Sequence, residues 1–264
     1  MEKALITLNS YEAKRLIGKA ISKMDVIKKA LNKGIIVITL GTTNAFIAEE
    51  ILGIKIDKGK FAIGIITSNG TCITNQKTRL KELIIKNGKL TDLSIKDVLD
   101  ELGPEDVFIK GANAIDPFGN VGVFLGSPTG GTLGMSIGVL LARGVKIIIP
   151  ISLEKLVPYS IEELIQKLGN RKFKYSMKMP VGMMLLPGEV ITEIEAFRIL
   201  FGCECIPIGG GGINSERCYL IEGENLEEVW KEIMKIKGEP KIIVEEENCD
   251  NCKIQCWKYS KITT

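Results

Sequence analysis

Histidine is absent from this sequence of 264 residues. Without histidine, the chain cannot form a Ser-His-Asp or Cys-His nucleophilic pair, a histidine-ligated zinc site or an imidazole proton relay. Any catalysis must therefore use carboxylates, lysine, cysteine, tyrosine, hydroxyl groups, backbone dipoles or a cofactor.

Arginine and glutamine are scarce, with six and three copies, while lysine accounts for the other 29 of the 35 basic residues. This usage, together with abundant isoleucine, is typical of hyperthermophiles, and an AT-rich genome produces the same bias. The net charge of +3 is spread over mixed signs. A basic patch for nucleic acid is therefore not indicated, and we expect no specific nucleic-acid partner.

Long apolar runs are also missing, since no stretch reaches the roughly 18 uncharged apolar residues of a membrane span. The first residues, Met1-Glu2-Lys3-Ala4, lack the layout of a signal peptide. We therefore expect a cytoplasmic protein without a membrane partner. Thiols in that compartment are usually reduced, although disulfides occur in hyperthermophiles.

Apolar runs and helical patterns alternate along the first two thirds of the chain. Helical spacing covers residues 11–31, a buried strand is expected at 35–40, and a strongly apolar strand at 145–151. Such alternation predicts an α/β fold, with a mainly parallel sheet and helices on both of its faces. We assign residues 1–175 to this α/β domain, which would bind an anion or metabolite.

The last third follows a different order of elements. Strands are expected at 181–186, 204–208, 218–222 and 241–245, with helices at 189–200 and 226–236. The order β-α-β-β-α-β predicts a small ferredoxin-like α+β domain over residues 176–247. Residues 248–264 then form a cysteine-containing tail.

Glycine and hydroxyl residues follow several of the predicted strands, where open α/β sheets bind ligands. Such residues at a helix N-terminus leave backbone N–H groups free for phosphate or carboxylate. The candidate ligand-binding residues are Gly41, Thr42, Thr43, Asn44, Gly111, Asn113, Gly126, Ser127, Thr129, Gly130, Gly131 and Thr132. The alternative is that these segments are ordinary helix caps and tight turns.

Three ionisable residues in the same loops are candidates for acid–base chemistry. They are Asp116, Lys110 and Lys155. Burial can lower the pKa of a lysine toward neutrality, which would suit it to proton transfer or to holding an anion. The alternative is a solvated lysine and an Asp-Pro turn. Together the loops predict a site for a small phosphorylated or carboxylated metabolite.

Five segments occur in an order found in a known superfamily. They are Gly41-Thr42-Thr43, Lys110-Gly111-Ala112-Asn113-Ala114-Ile115-Asp116, residues 126–132, Ser152-Leu153-Glu154-Lys155-Leu156-Val157 and Leu186-Pro187-Gly188-Glu189-Val190. Over about residues 10–245 the chain resembles ribose-5-phosphate isomerase A and its superfamily, which includes coenzyme A transferases and lactate-utilisation-type proteins. This resemblance implies an α/β fold with a phosphate loop at Gly41-Thr42-Thr43 and a ferredoxin-like lid.

The chain departs from that family at its acids. Lys110 and Asn113 stand where the isomerase motif has aspartates, and Ser136 lies near the position of its catalytic glutamate. Removing a proton next to a carbonyl requires a base, and neither Asn113 nor Ser136 can serve as one. We therefore expect the fold and an anion pocket without the isomerase mechanism.

Three cysteines cluster in the tail. Cys249, Cys252 and Cys256 have C-x₂-C-x₃-C spacing, which can hold zinc or an iron–sulfur cluster. A fourth ligand would come from Cys72, Cys203, Cys205 or Cys218. The alternatives are a disulfide or free thiols in the tail.

Three hypotheses follow from the sequence. The first is a metabolite-binding protein, acting as a divergent isomerase-like enzyme if it is catalytic. The second is a redox or metal protein that functions through the cysteine tail. The third is a sensor or subunit that keeps the fold without catalysis, and a homo-oligomer is compatible with each.

Overall fold

A computed structural model describes residues 2–249, 252 and 256. The helices of the described residues are α1 (Ser10–Lys23), α2 (Asp25–Lys33), α3 (Thr42–Leu52), α4 (Ile95–Val98), α5 (Gly131–Ala142), α6 (Ile161–Lys167), α7 (Glu193–Phe201) and α8 (Leu226–Ile236). The strands are β1 (Glu2–Leu8), β2 (Ile35–Ile38), β3 (Gly64–Thr67), β4 (Gly70–Ile73), β5 (Leu83–Lys86), β6 (Lys89–Thr91), β7 (Val107–Ile109), β8 (Ala114–Ile115), β9 (Val121–Leu125), β10 (Lys146–Pro150), β11 (Gly182–Leu185), β12 (Glu189–Ile191), β13 (Glu204–Gly211) and β14 (Glu216–Gly223).

The largest sheet has six strands in the order β12-β10-β7-β2-β5-β6. Strands β12, β10, β7 and β2 are parallel, whereas β5 and β6 are antiparallel to their neighbours. Along β2, Ile36 and Ile38 face one apolar cluster with α1 and α3, while Ile35 and Val37 face a second. Both faces of the sheet are therefore covered, which confirms the predicted α/β class.

The ferredoxin-like arrangement predicted for residues 176–247 is not confirmed. The predicted strand at 181–186 forms β11, which pairs with β9, and the segment predicted as the start of a helix forms β12 in the main sheet. The β13–β14 hairpin instead pairs with β1, which the sequence patterns did not reveal. Residues 241–245 form no strand, and the following Glu246 makes only an isolated bridge to Thr74.

The long helix predicted over residues 11–31 divides into α1 and α2. Met24, with φ −62° and ψ 139°, has an extended backbone. It is both the C-cap of α1 and the N-cap of α2. Asn9 begins α1 with a capping box, because its side chain accepts N–H groups while Glu12 accepts the Asn9 N–H. Within the described part of the chain, no helix is both long and apolar enough to cross a membrane.

The parallel strands place their carboxyl ends at one edge of the main sheet. The loops after β2, β7 and β10 therefore emerge side by side. Strand β9 of a three-stranded sheet, β11-β9-β8, and the β3–β4 hairpin lie at the same edge, because residues from β9, β3 and β4 line one cavity with those loops.

Candidate functional site

The cavity has a volume of about 220 Å³. Its walls include most of the residues proposed from the sequence, namely Gly41, Thr42, Thr43, Asn44, Lys110, Gly111, Asn113, Gly126, Ser127, Gly130, Gly131, Thr132 and Lys155. Four loops that are far apart in the sequence thus meet around one space. Three of the loops meet because the parallel strands β2, β7 and β10 end at one edge, and the fourth, residues 126–132, follows β9 of the smaller antiparallel sheet.

Two helices point their N-termini at the cavity. Helix α3 starts after Gly41 and helix α5 after Gly130, and neither has a side-chain cap in the described structure. Gly130 has φ 79° and Gly131 has φ 58°, a left-handed conformation that favours glycine and allows the chain to turn into α5 here. The first N–H groups of both helices therefore lack the side-chain partner that a cap provides, and a helix N-terminus attracts negative charge.

Two lysines supply positive charge at the same place. Lys155 Nζ donates to the Ala112 carbonyl oxygen at 2.8 Å, and Lys110 Nζ donates to the Gly111 carbonyl oxygen at 3.3 Å. Parts of both side chains remain accessible, but their ammonium groups are desolvated. Burial lowers the pKa of Lys110 to about 8 and that of Lys155 to about 8, the latter with a further contribution from the charge of Lys14.

Acidic side chains are absent from the described residues that line the cavity. Glu154 is the neighbour of Lys155 in sequence, but it is paired with Lys14 at 2.6 Å. Burial opposes its ionisation, yet the charge and hydrogen bond of Lys14 leave the pKa of Glu154 lowered. The two cavity lysines consequently lack a carboxylate partner within the cavity walls.

Two asparagines add neutral polar groups. Asn44 is fully buried, and its Nδ2 donates to the Thr39 carbonyl oxygen at 2.8 Å. Its Oδ1 has no partner in the described structure, which is rare for a buried acceptor. Asn113 Oδ1 accepts the Phe124 N–H at 2.9 Å, so the Asn113 side chain is bonded to the backbone of β9.

Asp116, proposed as an acid or base, is not part of the cavity walls. Its Oδ1 accepts the N–H groups of Phe118 and Asn120, both at 2.9 Å, and its Oδ2 accepts Ile161 N–H at 3.1 Å and Asn120 Nδ2 at 3.0 Å. Burial would raise the pKa of Asp116, but these hydrogen bonds lower it. The Asp116 carboxylate therefore stabilises the turn, which agrees with the Asp-Pro turn that the sequence offered as the alternative.

Two other hydroxyl residues have supporting positions. Thr129 is outside the cavity walls, but its Oγ1 lies 3.1 Å from Oγ of Ser127, which does line the cavity. Ser136, at the position of the isomerase glutamate, is fully buried and donates to the Thr132 carbonyl oxygen at 2.8 Å. Ser136 is thus engaged within α5 and does not face the cavity.

An apolar wall was missed by the sequence analysis. It contains Ile65 and Ile73 of the β3–β4 hairpin, Phe124, and Met179 with Val181. Asn69-Gly70 is a dipeptide typical of hairpin turns, and it lies where β3 connects to β4. Nothing in that local pattern showed that the hairpin covers the ends of β2 and β7.

The tail cysteines lie near this wall. Cys252 and Cys256 pack against the cluster of Ile73, Met179 and Val181, whereas Cys249 is exposed. Burial raises the pKa of Cys256 to about 11, with smaller contributions from neighbouring thiolates that include Cys72. The other three candidates for a fourth ligand are elsewhere, since Cys203 and Cys205 are buried in the opposite core cluster and Cys218 Sγ is 3.3 Å from Thr7 Oγ1.

All seven cysteines are free thiols. Among the residues that the structure describes, no group of three His, Cys, Asp or Glu side chains is arranged to hold a metal ion. The assignment of zinc or an iron–sulfur cluster to Cys249, Cys252 and Cys256 therefore stays a prediction.

No protein-family model matches the chain, and no curated protein matches it in sequence. The resemblance to the isomerase superfamily accordingly stays a prediction, and the site is interpreted from its own chemistry.

Proposed function

We propose that this protein binds a small phosphorylated or carboxylated metabolite in the cavity at the carboxyl edge of the main sheet. One observation carries the proposal: Lys110, Lys155 and two helix N-termini meet in a cavity whose described walls contain no acidic residue. A bound anion would supply the negative charge that the cavity walls lack.

The electrostatic argument rests on burial. A desolvated ammonium group without a carboxylate partner is costly, because both water and a counter-charge are missing. Each helix N-terminus adds the equivalent of about half a positive charge. An anion bound between Lys110, Lys155 and these N-termini gains attraction from all of them, in surroundings where the interaction is stronger than in water.

Catalysis in this cavity would depend on lysine. The walls offer no carboxylate base, so the isomerase mechanism of the resembled family is not part of the proposal. An amine whose pKa is about 8 exists in both protonation states near neutral pH, as a general acid or base requires. Lys155 and Lys110 are therefore the residues through which we propose any proton transfer.

Binding is tested by calorimetric titration of the purified protein with inorganic phosphate, acetate and a panel of phosphorylated sugars and acyl-coenzyme A compounds. Lys155→Met and Lys110→Met should each weaken binding of every anion that the wild type binds. Lys231→Met removes an exposed lysine of α8 and should leave binding unchanged. Absence of binding by every anion in the panel would refute the proposal, and binding without turnover would favour the sensor or subunit hypothesis.

The thiols support a second candidate, a metal or redox protein. The observation that favours this candidate is the position of the tail. Cys252 and Cys256 pack against the cluster that contains Ile73, the residue after Cys72, so the tail lies near Cys72. Four thiolates are a complete ligand set for zinc or an iron–sulfur cluster. We therefore propose Cys72 as the fourth ligand if the tail binds metal.

Metal content decides this candidate. Protein purified without oxygen should contain stoichiometric zinc, or iron with a visible charge-transfer absorption. Cys72→Ser should lose that metal, whereas Cys218→Ser, in β14 beside Thr7, should keep it. A colourless and metal-free anaerobic preparation would rule the candidate out.

A further inference from the structure

The cavity divides into two halves of different chemistry. Lys110 and Lys155 bond to the adjoining carbonyl oxygens of Gly111 and Ala112, so both cations lie at the β7 end of the cavity. Ile73, Met179 and Val181 form a separate hydrophobic cluster, against which Phe124 packs. These apolar residues also line the cavity, and their cluster contains neither the lysines nor the residues that the lysines contact.

The apolar side is held in place by backbone contacts. Met179 N–H donates to the Thr71 carbonyl oxygen at 2.9 Å, and the Thr71 hydroxyl donates to the Met179 carbonyl oxygen. Gly70, with φ +115°, lets the hairpin approach closely, because a Cβ atom there would overlap the Met177 carbonyl oxygen. The β3–β4 hairpin is thus fixed against residues 177–179 as a preformed wall.

This wall has little to offer a hydroxylated ligand. The Thr71 hydroxyl is already engaged, and Cys72 contributes a thiol, which is a weak hydrogen-bonding group. Burial raises the pKa of the Cys72 thiol, so it also adds no charge. A sugar hydroxyl placed against Ile73, Phe124 or Val181 would lose its hydrogen bonds to water without replacement.

We infer that the ligand joins an anionic head group to a short apolar body. This inference rests on the proposed function and specifies its substrate class: an alkyl or acyl phosphate or carboxylate, in contrast to a polyhydroxylated sugar phosphate. The head lies between the lysines and the N-termini of α3 and α5, and the body lies against Ile73, Met179 and Val181. The cavity of about 220 Å³ has room for the head group together with a short body of this kind.

A matched pair of ligands tests the inference. Propyl phosphate and glycerol 3-phosphate have the same carbon skeleton and head group, and they differ only in two hydroxyls. Each methylene that leaves water strengthens binding about fourfold. Calorimetry should therefore give propyl phosphate about 15-fold higher affinity than methyl phosphate, and glycerol 3-phosphate should bind more weakly than propyl phosphate. The series from acetate to butanoate tests the carboxylate head group in the same way.

Two variants separate the halves of the cavity. Val181→Thr keeps the volume but places a hydroxyl in the wall, and it should weaken propyl phosphate by about fourfold while leaving inorganic phosphate unchanged. Lys155→Met should weaken both ligands by the same factor. Ile65→Thr, at a half-buried position of the same wall, repeats the first test should Val181→Thr fail to fold.

The outcomes distinguish the inference from the proposed function. Affinity that rises with chain length in either series supports both. If phosphate or acetate binds but glycerol 3-phosphate equals or exceeds propyl phosphate, the apolar-body inference is overturned and anion binding stands. If no anion of either series binds, both are overturned.

Discussion

Anion binding should weaken steeply as the pH rises from 7 to 9. The pKa of Lys110 and that of Lys155 are both about 8, so each is about nine-tenths charged at pH 7 and about one-tenth charged at pH 9. If binding needs one charged lysine, affinity falls about tenfold over this range. If it needs both, affinity falls about 100-fold.

Other groups at the site keep their charge over the same range. The pKa of Glu154 is lowered by Lys14 in spite of burial, so Glu154 stays ionised. Burial raises the pKa of the Cys72 thiol, which favours its neutral form. A phosphate monoester, with a second pKa near 6, is already a dianion at pH 7 to 9. The decrease in affinity should consequently report on the two lysines.

Calorimetric titration with methyl phosphate at constant ionic strength measures this effect. In Lys110→Arg the guanidinium stays charged at pH 9, and the decrease should shrink from about 100-fold to about tenfold. In Lys155→Met the affinity should be lower at pH 7 and should then fall only about tenfold. Affinity that is constant from pH 7 to 9, or a full decrease retained in both variants, would refute the role assigned to the lysines.

Four further outcomes are expected. The unfolding free energy of the ligand-free wild type relative to Lys155→Met, measured by urea denaturation, should rise between pH 8 and the ordinary lysine pKa near 10.4, because Lys155 then binds more proton in the unfolded chain than in the folded one; a difference that is constant over this range would contradict the lowered pKa. Arg15→Met should cost about 3–5 kcal/mol in the same assay, since Arg15 pairs with Glu49, Glu50 and Glu239 and is largely buried, whereas Lys231→Met should cost less than about 1 kcal/mol. Asp116→Asn should lower the melting temperature, because the Asp116 carboxylate accepts hydrogen bonds that stabilise a turn, and it should leave methyl phosphate affinity within about twofold of wild type. A large loss of affinity at unchanged stability would instead assign Asp116 to the binding site. Gly130→Ala should cost about 1–2 kcal/mol at φ 79° and should weaken anion binding by displacing the start of α5, which parallel denaturation and titration would show.

The polar half of the site could be predicted because its signals are local. Three of the contributing loops follow the apolar strands β2, β7 and β10, and the parallel arrangement brings these strand ends together without long-range information. Thus Gly41, Lys110 and Lys155, which are widely separated in sequence, could be assigned to one pocket from pattern alone. The cavity contains all three.

The apolar half could not be predicted because its signals are not local. The position of the hairpin depends on contacts between Thr71 and Met179, 108 residues apart. Composition and turn chemistry identify a hairpin but contain nothing about the surface on which it packs. Asp116 shows that a local signal can also mislead. Its residue type and spacing fit catalysis, but its hydrogen bonds are those of a turn.

The ferredoxin-like prediction is not confirmed, for a related reason. It treats residues 176–247 as a closed unit, although β1, outside that range, pairs with β14. Strand β1 pairs with β14 over seven residues, from Glu2 opposite Gly223 to Leu8 opposite Arg217. Leu5 is exposed although it lies between apolar neighbours, which removes the alternation by which a half-buried strand is recognised.

The pH dependence of stability and that of anion binding together distinguish lysines that bind a ligand from lysines that are buried only as part of the packing. Because the pKa values of Lys110 and Lys155 are lowered, their contribution to the stability of the free protein is lost as the pH falls from about 10.4 to 8, and the loss is complete below pH 8, where their charge favours an anion. A structural lysine would relieve this cost with a carboxylate, as Lys14 does with Glu154 at 2.6 Å and Arg15 with Glu49 at 2.5 Å. Lys14 and Arg15, the most buried cations of the described residues, are thus paired with carboxylates, whereas Lys110 and Lys155 lie beside two uncapped helix N-termini without a carboxylate in the cavity walls. A bound anion would remove the cost at the site, so ligand should stabilise the protein most at the pH where the free protein is least stable.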